Sequence, residues 1–342
     1  MLNTLINRFF GETVDKIKTF LEYLEEKGIK RCILLSRENI NYFLERYPPH
    51  NSLLTFDVEN ERTVLHLSKL EYRSFQGLHG KIEISLMKSV KDVIKGCDGV
   101  EETFPLRYIK YLPEDYKIVS RKLMEMRSIK TEREIEFIKR ASKISKRALE
   151  YGIDCLSKEG ITEMELAGEI EYMMKKMGSI KPAFDSIVLS DRKTTLPHGT
   201  PSEDVVKNIV LIDIGAVYRG YCSDITRTIL LKEDRRYREI HQLVSDVKEE
   251  VEDHLREGTS VRELDRLARE SMGEYKKYFI HSLGHGVGVN VHEEPSISSK
   301  AEKNLILKKN MVITVEPGIY LEDFGVRIED MYLIKKDGFK RL

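Results

Sequence analysis

VLIDIGAVYRGYCSDITRTILL, residues 210–231, sets two aspartates into two apolar, β-branched runs on either side of Tyr218, Arg219 and Gly220. The pattern predicts a β-hairpin. With Tyr218 and Arg219 as the loop, Val217 pairs with Gly220, Gly215 with Cys222 and Asp213 with Asp224, whose Cβ atoms then lie about 5 Å apart across the ladder. Gly215 is expected to leave open space beside them. Two carboxylates that close repel strongly unless a proton or a cation sits between them. An exposed hairpin would hydrate them, but the flanking VLID and TILL runs read as buried.

A second strand pair repeats the arrangement. MVITVEPGIY (311–320) and GVRIEDMYLI (325–334) bracket a short loop and contribute Glu316 and Glu329 among apolar neighbours. Between the two hairpins lies HSLGHGVGVNVHEEP (281–295), which holds three of the nine histidines, His281, His285 and His292, in a segment too rich in glycine for a stable helix. With His285 as a neutral nitrogen ligand, four carboxylates and one imidazole make a hard, oxygen-rich site for divalent cations, and the charge suggests two of them. Glycines 284, 286 and 288 are expected to let the backbone pass close to metal and substrate. Arg327, two residues before Glu329 on a strand, shares its face and is expected to orient a ligand carboxylate. Cys222 shares the face of Asp224, but beside hard oxygen ligands it is expected to pack, not coordinate.

The rest of the chain frames this segment. At 342 residues it suits two domains. Its 57 Lys+Arg balance 57 Asp+Glu, so no global field gathers nucleic acid or an anionic membrane, and neither is expected as a partner. No apolar run is long enough to span a bilayer, and MLNTLINRFF lacks the basic start and cleavage site of a signal peptide. Cys32, Cys97, Cys155 and Cys222 match neither a zinc nor a CxxC spacing, so reduced, buried thiols and a cytoplasmic location are expected.

Residues 12–118 read as a small α/β domain: a helix over 13–27 stopped by Gly28, a strand over 32–36, a helix at ENINYFLER, a hairpin from SLLTFDV and RTVLHLS, and a strand at KIEISLM. Its His50, His66 and His79 are isolated and read as surface or strand positions. Two amphipathic helices follow, over 130–156 and 161–178.

These residues resemble the pita-bread metallopeptidases, a family that includes prolidase, aminopeptidase P and methionine aminopeptidase. The resemblance rests on LPHGTPS, DIGAVYRGYCSDITRT, LGHGVGVNVHEEP, VEPGIY and VRIED, in that order. It implies an α/β N-terminal domain (1–120), creatinase/prolidase-like, plus an α+β C-terminal pita-bread (creatinase/aminopeptidase) domain (121–342) that carries catalysis. It also implies two divalent metal ions, Mn or Co foremost with Fe or Zn as alternatives, held by Asp213, Asp224, His285, Glu316 and Glu329. Asp224 and Glu329 would bridge the ions. Glu316 would also shuttle protons, His292 would donate to the tetrahedral intermediate, and His198 would line the substrate pocket. His281 would stand beside the ligands or face the substrate.

An N-terminal domain is found in prolidase and aminopeptidase P, where it helps shape the pocket and commonly packs across a dimer. A homodimer acting on small peptides with proline after the scissile bond is therefore implied, with Xaa-Pro dipeptidase foremost and Xaa-Pro aminopeptidase as the alternative. One departure separates these: HEEP is followed by Ser296, where prolidases often carry an arginine that grips the dipeptide carboxylate. A non-enzymatic pita-bread protein and metal-free creatinase-like hydrolysis are opposed by the complete ligand set, because bare buried carboxylates are costly.

Overall fold

The structure is a computed structural model that describes residues 2–75 and 82–342, with side chains from Thr13 onward. His79 lies outside the described residues. The chain divides into two compact units, Met1–Arg127 and Ser128–Leu342. Among the described residues no helix is long and apolar enough to cross a membrane.

The first unit runs α1 (Leu2–Glu26), β1 (Arg31–Leu34), α2 (Arg37–Leu44), β2 (Leu53–Asp57), β3 (Arg62–Leu67), β4 (Ile82–Leu86), α3 (Val90–Ile94), β5 (Gly99–Val100), β6 (Lys117–Ile118) and α4 (Ser120–Ser128). Its strands form one mixed sheet in the order β4-β3-β2-β1-β5-β6. The helix expected over 13–27 already begins at Leu2, and Gly28 stops it with φ +63°, a conformation that favours glycine. Ile17, Phe20 and Leu24 form its buried stripe, and Phe20 packs against a tilted Phe43 ring and meets Phe56 edge to face. Within the unit, Arg127 donates to Asn39 Oδ1 at 2.8 Å, which fastens α4 to α2.

In the second unit α5 (Glu132–Cys155) and α6 (Glu163–Lys176) precede β7 (Ile187–Ser190), β8 (Ile209–Ile214), β9 (Val217–Tyr218), β10 (Tyr221–Cys222) and β11 (Ile225–Leu230). Then α7 (Arg235–Glu252) and α8 (Val261–Ser271) precede β12 (Gly284–Gly286), β13 (Glu293–Ile297), β14 (Val312–Val315), β15 (Gly318–Tyr320), β16 (Gly325–Arg327), β17 (Asp330–Lys335) and β18 (Gly338–Arg341). Each half is thus two helices followed by a hairpin. Both α5 and α6 start in reciprocal capping boxes, Thr131 with Glu134 and Thr162 with Glu165, which satisfy orphan N–H groups that would otherwise fray the first turn.

The strands show which face each half buries. In β8, Val210, Ile212 and Ile214 join the α5/α6 core, with Ile144, Ala148 and Ile170 from the helices, so Asp213 falls on the opposite face. In the second half Ile240, Val244 and Val251 of α7 and Leu264 of α8 pack with Ile313, Val315, Tyr332 and Ile334 of the sheet. At roughly 1.5–3 kcal/mol for each large aliphatic side chain buried, these cores back the β11-β8-β7 sheet beside the aspartates and the β13-β12-β14-β17-β18 sheet beside the glutamates.

The first hairpin differs from expectation. Arg219 and Gly220 form the loop, with φ of 55° and 83°, so Tyr218 pairs with Tyr221 and Asp213 with Thr226, not Asp224. Two consecutive positive φ values are what a two-residue loop needs to match strand twist, and Gly220 takes the second at no steric penalty. The ladder is displaced by two residues. An even displacement leaves every side chain on its expected face.

His66 lies on β3 and contacts Thr55 Oγ1 at 2.9 Å. Burial, reinforced by Arg31, lowers its pKa to about 4. Because the folded value is depressed, the unfolded chain binds the proton more readily between pH 6.5 and 4, so stability present above that window is lost as pH falls through it. An NMR titration of the His66 ring should therefore give a midpoint near 4, and His66→Gln should flatten the acid loss of stability across the same window. A midpoint near 6.5 would contradict the assigned burial.

Candidate metal centre

Each candidate ligand on a hairpin sits at or beside a place where a ladder stops. Asp213 is the penultimate residue of β8, Asp224 directly precedes β11, Glu316 directly follows β14, and Glu329 directly precedes β17. The flanking pairs Val315↔Asp330 and Gly318↔Arg327 place Glu316 opposite Glu329. His285 is the central residue of β12, and its backbone N–H is held by Thr314 Oγ1 of β14 at 3.1 Å.

These side chains line one cavity of about 570 Å³, together with His198, His281, His292 and Arg327. Asp224, His285 and Glu329 offer donor atoms that all lie within 4.8 Å of one another. His285 Nε2 is also 3.4 Å from Glu316 Oε1 and 3.7 Å from Asp224 Oδ2. Asp213 joins through Arg327, which donates from Nη2 to Asp213 Oδ2 at 2.6 Å. His292 stacks edge-on against His285, their ring centres 4.4 Å apart.

The electrostatics call for a cation. Asp213 Oδ1 and Asp224 Oδ1 are buried with no hydrogen-bond partner, a costly state for carboxylate oxygens. Burial, then Glu329, Asp213 and Glu316, push the Asp224 carboxyl well above its ordinary range; burial, Glu316 and Asp213 do the same to Glu329. Burial would raise Glu316 too, but His285, His281 and Arg327 outweigh it and bring it down to about 2. Burial opposes charge on His285, yet Glu316 prevails and raises its pKa.

The ring geometry suits metal ligation. His285 Nδ1 lies 3.1 Å from the Gly286 carbonyl, an acceptor only, so Nδ1 carries the hydrogen and Nε2 faces the carboxylates. Hard oxygen donors, one imidazole nitrogen and two orphaned oxygens fit divalent cations well.

Arg327 organises the cavity wall. Besides Asp213, it donates from Nη1 to Tyr320 Oη at 2.6 Å, from Nε to Thr226 Oγ1 at 3.2 Å, and to the Pro197 carbonyl beside His198 at 3.3 Å. Tyr320 stays protonated, because burial lifts its pKa to about 12 against the pull of Arg327. Its hydroxyl meets His281 Nε2 at 2.9 Å, while His281 Nδ1 donates to the Ser282 carbonyl at 2.8 Å. Nε2 is therefore the acceptor, and Tyr320 the donor. Thr226 Oγ1 donates to Glu329 Oε2 at 2.8 Å.

Tyr320 and Thr226 were not singled out in the sequence. Thr226 could have been found two residues after Asp224, on the same strand face; Tyr320 carries no spacing signal of its own. Cys222 packs with its Sγ 3.6 Å from the Val289 carbonyl.

The glycines serve closer approach than expected. A Cβ at Gly215 would strike the Ser223 carbonyl, so no open space lies there. Those at 284 and 286 would strike the backbones of Thr314 and Glu294, and one at 288 would strike the Glu293 carboxylate. They let strands and side chains pack behind the site, not a metal or substrate in front of it. Glu293 in turn forms a buried pair with Lys130 at 3.2 Å, which braces the segment carrying His292.

Neutralising one carboxylate should relieve the repulsion in metal-free protein. Asp224→Asn is expected to raise the melting temperature in chelator, by roughly 1–3 kcal/mol of stability, while removing most of the stabilisation that added Mn or Co confers on the natural chain. A lower melting temperature in chelator would show that Asp224 is satisfied without metal.

Residues 136–336 match Metallopeptidase family M24. An uncharacterized peptidase of Methanocaldococcus jannaschii is 50% identical over 332 residues, 96% of this chain and 95% of the relative. A prolidase structure from Pyrococcus furiosus superposes with a TM-score of 0.87 at 35% identity, covering 94% of this chain and 98% of that one. An X-Pro aminopeptidase structure from Thermotoga maritima gives 0.84 at 32% identity, covering 95% and 96%.

Proposed function

The chain belongs to metallopeptidase family M24, as a metallo-exopeptidase of its pita-bread prolidase and aminopeptidase P branch, and from that premise we propose that it hydrolyses Xaa-Pro bonds, foremost as an Xaa-Pro dipeptidase. The observation that carries the proposal is the meeting of Asp213, Asp224, His285, Glu316 and Glu329 in one cavity with His198, His281 and His292 on its wall. The 35% identical prolidase from Pyrococcus furiosus supports the dipeptidase choice.

In this reading Asp213, Asp224, His285, Glu316 and Glu329 would hold two divalent cations, with Asp224 and Glu329 serving both. Bound cations, Mn or Co foremost and Fe or Zn as alternatives, supply Lewis acidity toward the scissile carbonyl and toward water. Glu316 would act as the carboxylate that accepts the proton of the attacking water and returns it to the proline nitrogen as the C–N bond breaks. His292 donates to the oxygen of the scissile carbonyl as negative charge develops there. His198 lines the pocket beside the Pro197 carbonyl that Arg327 holds. An Xaa-Pro bond is tertiary and conformationally restricted, so a dedicated pocket is needed to cleave it.

A second reading has its own support. Ser296 sits directly across the ladder from His285. Among the described residues, Arg327 is the one guanidinium on the cavity wall, and it is committed to Asp213, Tyr320 and Pro197. Without a free cation to grip a dipeptide's carboxylate, longer Xaa-Pro peptides become candidates, as for an Xaa-Pro aminopeptidase. The proposal extends to a homodimer whose first unit is the smaller domain of this branch. It also includes a cytoplasmic location, which four buried, unbridged cysteines suit.

Metal-depleted protein refilled with Mn or Co should cleave Ala-Pro in preference to Ala-Pro-Ala. The reverse preference would establish the aminopeptidase, and cleavage of neither with any of the four metals would sink the Xaa-Pro reading. Glu316→Gln should lower kcat by about 100-fold or more, because the proton acceptor is lost. A rate within a few-fold of the natural chain would remove Glu316 from that role.

A further inference from the structure

Strand alternation gives β11 and β17 two chemically different faces. Ile225 and Ile229 of β11 pack into the α5/α6 side, so Arg227 between them faces the helices and Thr226 turns the other way, toward Glu329 and Arg327. Tyr332 and Ile334 of β17 pack toward α7 and α8, so Asp330 shares that outer face while Glu329 lines the cavity.

The outer residues grip the same backbone that the inner ones use. Arg227 Nη1 donates to the carbonyls of Glu329 (2.5 Å) and Thr226 (2.9 Å), while Nη2 donates to Asp330 Oδ1 (2.7 Å). The other Asp330 oxygen meets Lys248 of α7 at 2.9 Å. Glu329 is thus held at three points: its N–H by the Thr226 carbonyl at 3.1 Å, its carboxylate by Thr226 Oγ1, and its carbonyl by Arg227. Asp330 and Lys248 are 2% and 5% exposed, so this is an interior charge cluster. A buried ion pair adds little to stability over a well-packed apolar substitute. Its planar fork, however, fixes direction in a way an apolar group cannot.

We propose that Arg227 and Asp330 are positioning residues of the metal centre, clasping β11 of the first half to β17 of the second and so setting the spacing between the Asp213–Asp224 and Glu316–Glu329 pairs. The inference rests on the metallopeptidase reading of the cavity. It assigns a role to side chains on the helix-facing sides of β11 and β17, away from the cavity. Loosening the clasp leaves each acidic pair on its own hairpin but frees the distance between pairs, so sites that draw ligands from both halves weaken most.

The test is Mn or Co titration of the metal-free chain by calorimetry, with the visible spectrum of the Co-loaded form recorded in parallel. Arg227→Met keeps the side-chain stem and loses the fork; Asp330→Asn keeps the shape and loses the charge. Each is expected to weaken the more weakly held ion by about 10- to 100-fold and to alter the Co spectrum, and the double variant to do no more than either alone. Arg227→Lys, which keeps the charge but replaces the two-nitrogen fork with a single donor centre on a shorter side chain, should resemble Arg227→Met; it also supplies the same readout if Met at 227 prevents folding.

Natural-like affinity and spectrum in Arg227→Met and Asp330→Asn would overturn the clasp, as would full recovery in Arg227→Lys. A natural chain that takes up no ion would overturn the metal-centre reading and the clasp with it. A natural chain that loads normally, beside variants that load equally well, would overturn the clasp alone.

Discussion

Four carboxylates share one cavity in this protein, and the rest of the architecture answers their repulsion. At the short separations seen here, like charges in a low-dielectric site interact far more strongly than on a surface. A protonated pair or a cation is needed to hold them together. His285 and Arg327 supply part of the compensation, Arg327 through Asp213 and His285 through Glu316. The unpartnered oxygens of Asp213 and Asp224 mark what remains for divalent metal.

That constraint explains why the candidate ligands sit in or beside strands backed by helices. A site built from mutually repelling groups drifts apart unless each group is fixed from behind. Two helix-covered cores provide the fixing, one per half. The hairpins leave their sheets where the acids occur, so the carboxylates reach the cavity while the apolar residues beside them stay in the cores. Arg327 then links Asp213, Thr226, Tyr320 and the Pro197 loop, coupling the carboxylate cluster to the histidines of the cavity wall through His281. A displacement of that guanidinium would be felt at both.

Much of this was legible in the residues. Apolar runs interrupted by Asp213, Asp224, Glu316 and Glu329 announced buried acids, and the order of motifs announced the family. The second hairpin could be read as two strands about a short loop, because clear apolar runs bracket its turn. The first could not, because Tyr-Arg and Arg-Gly both offer two-residue loops and the choice depends on which residues tolerate positive φ. The two-residue displacement leaves the cavity-facing side chains unchanged, since strand periodicity is two. The glycines were harder: their number signals close approach, but not to what. Thr314, Glu294 and Glu293 became their neighbours only once β12, β13 and β14 packed side by side.

The sequence by itself determined the donor types available to the cavity, because donor type is a property of single residues, and it determined which face each donor occupies, because alternation along a strand is local. Tertiary structure decided everything that depends on distance between segments far apart in the chain. Thr226 meets Glu329 across 103 positions, and Arg327 meets Asp213 across 114. Contacts of that span are set by how two helix-backed halves pack, which no local pattern encodes. The tautomer of His281, the commitment of Arg327 and the grip of Arg227 on the backbone at Glu329 all follow from that packing.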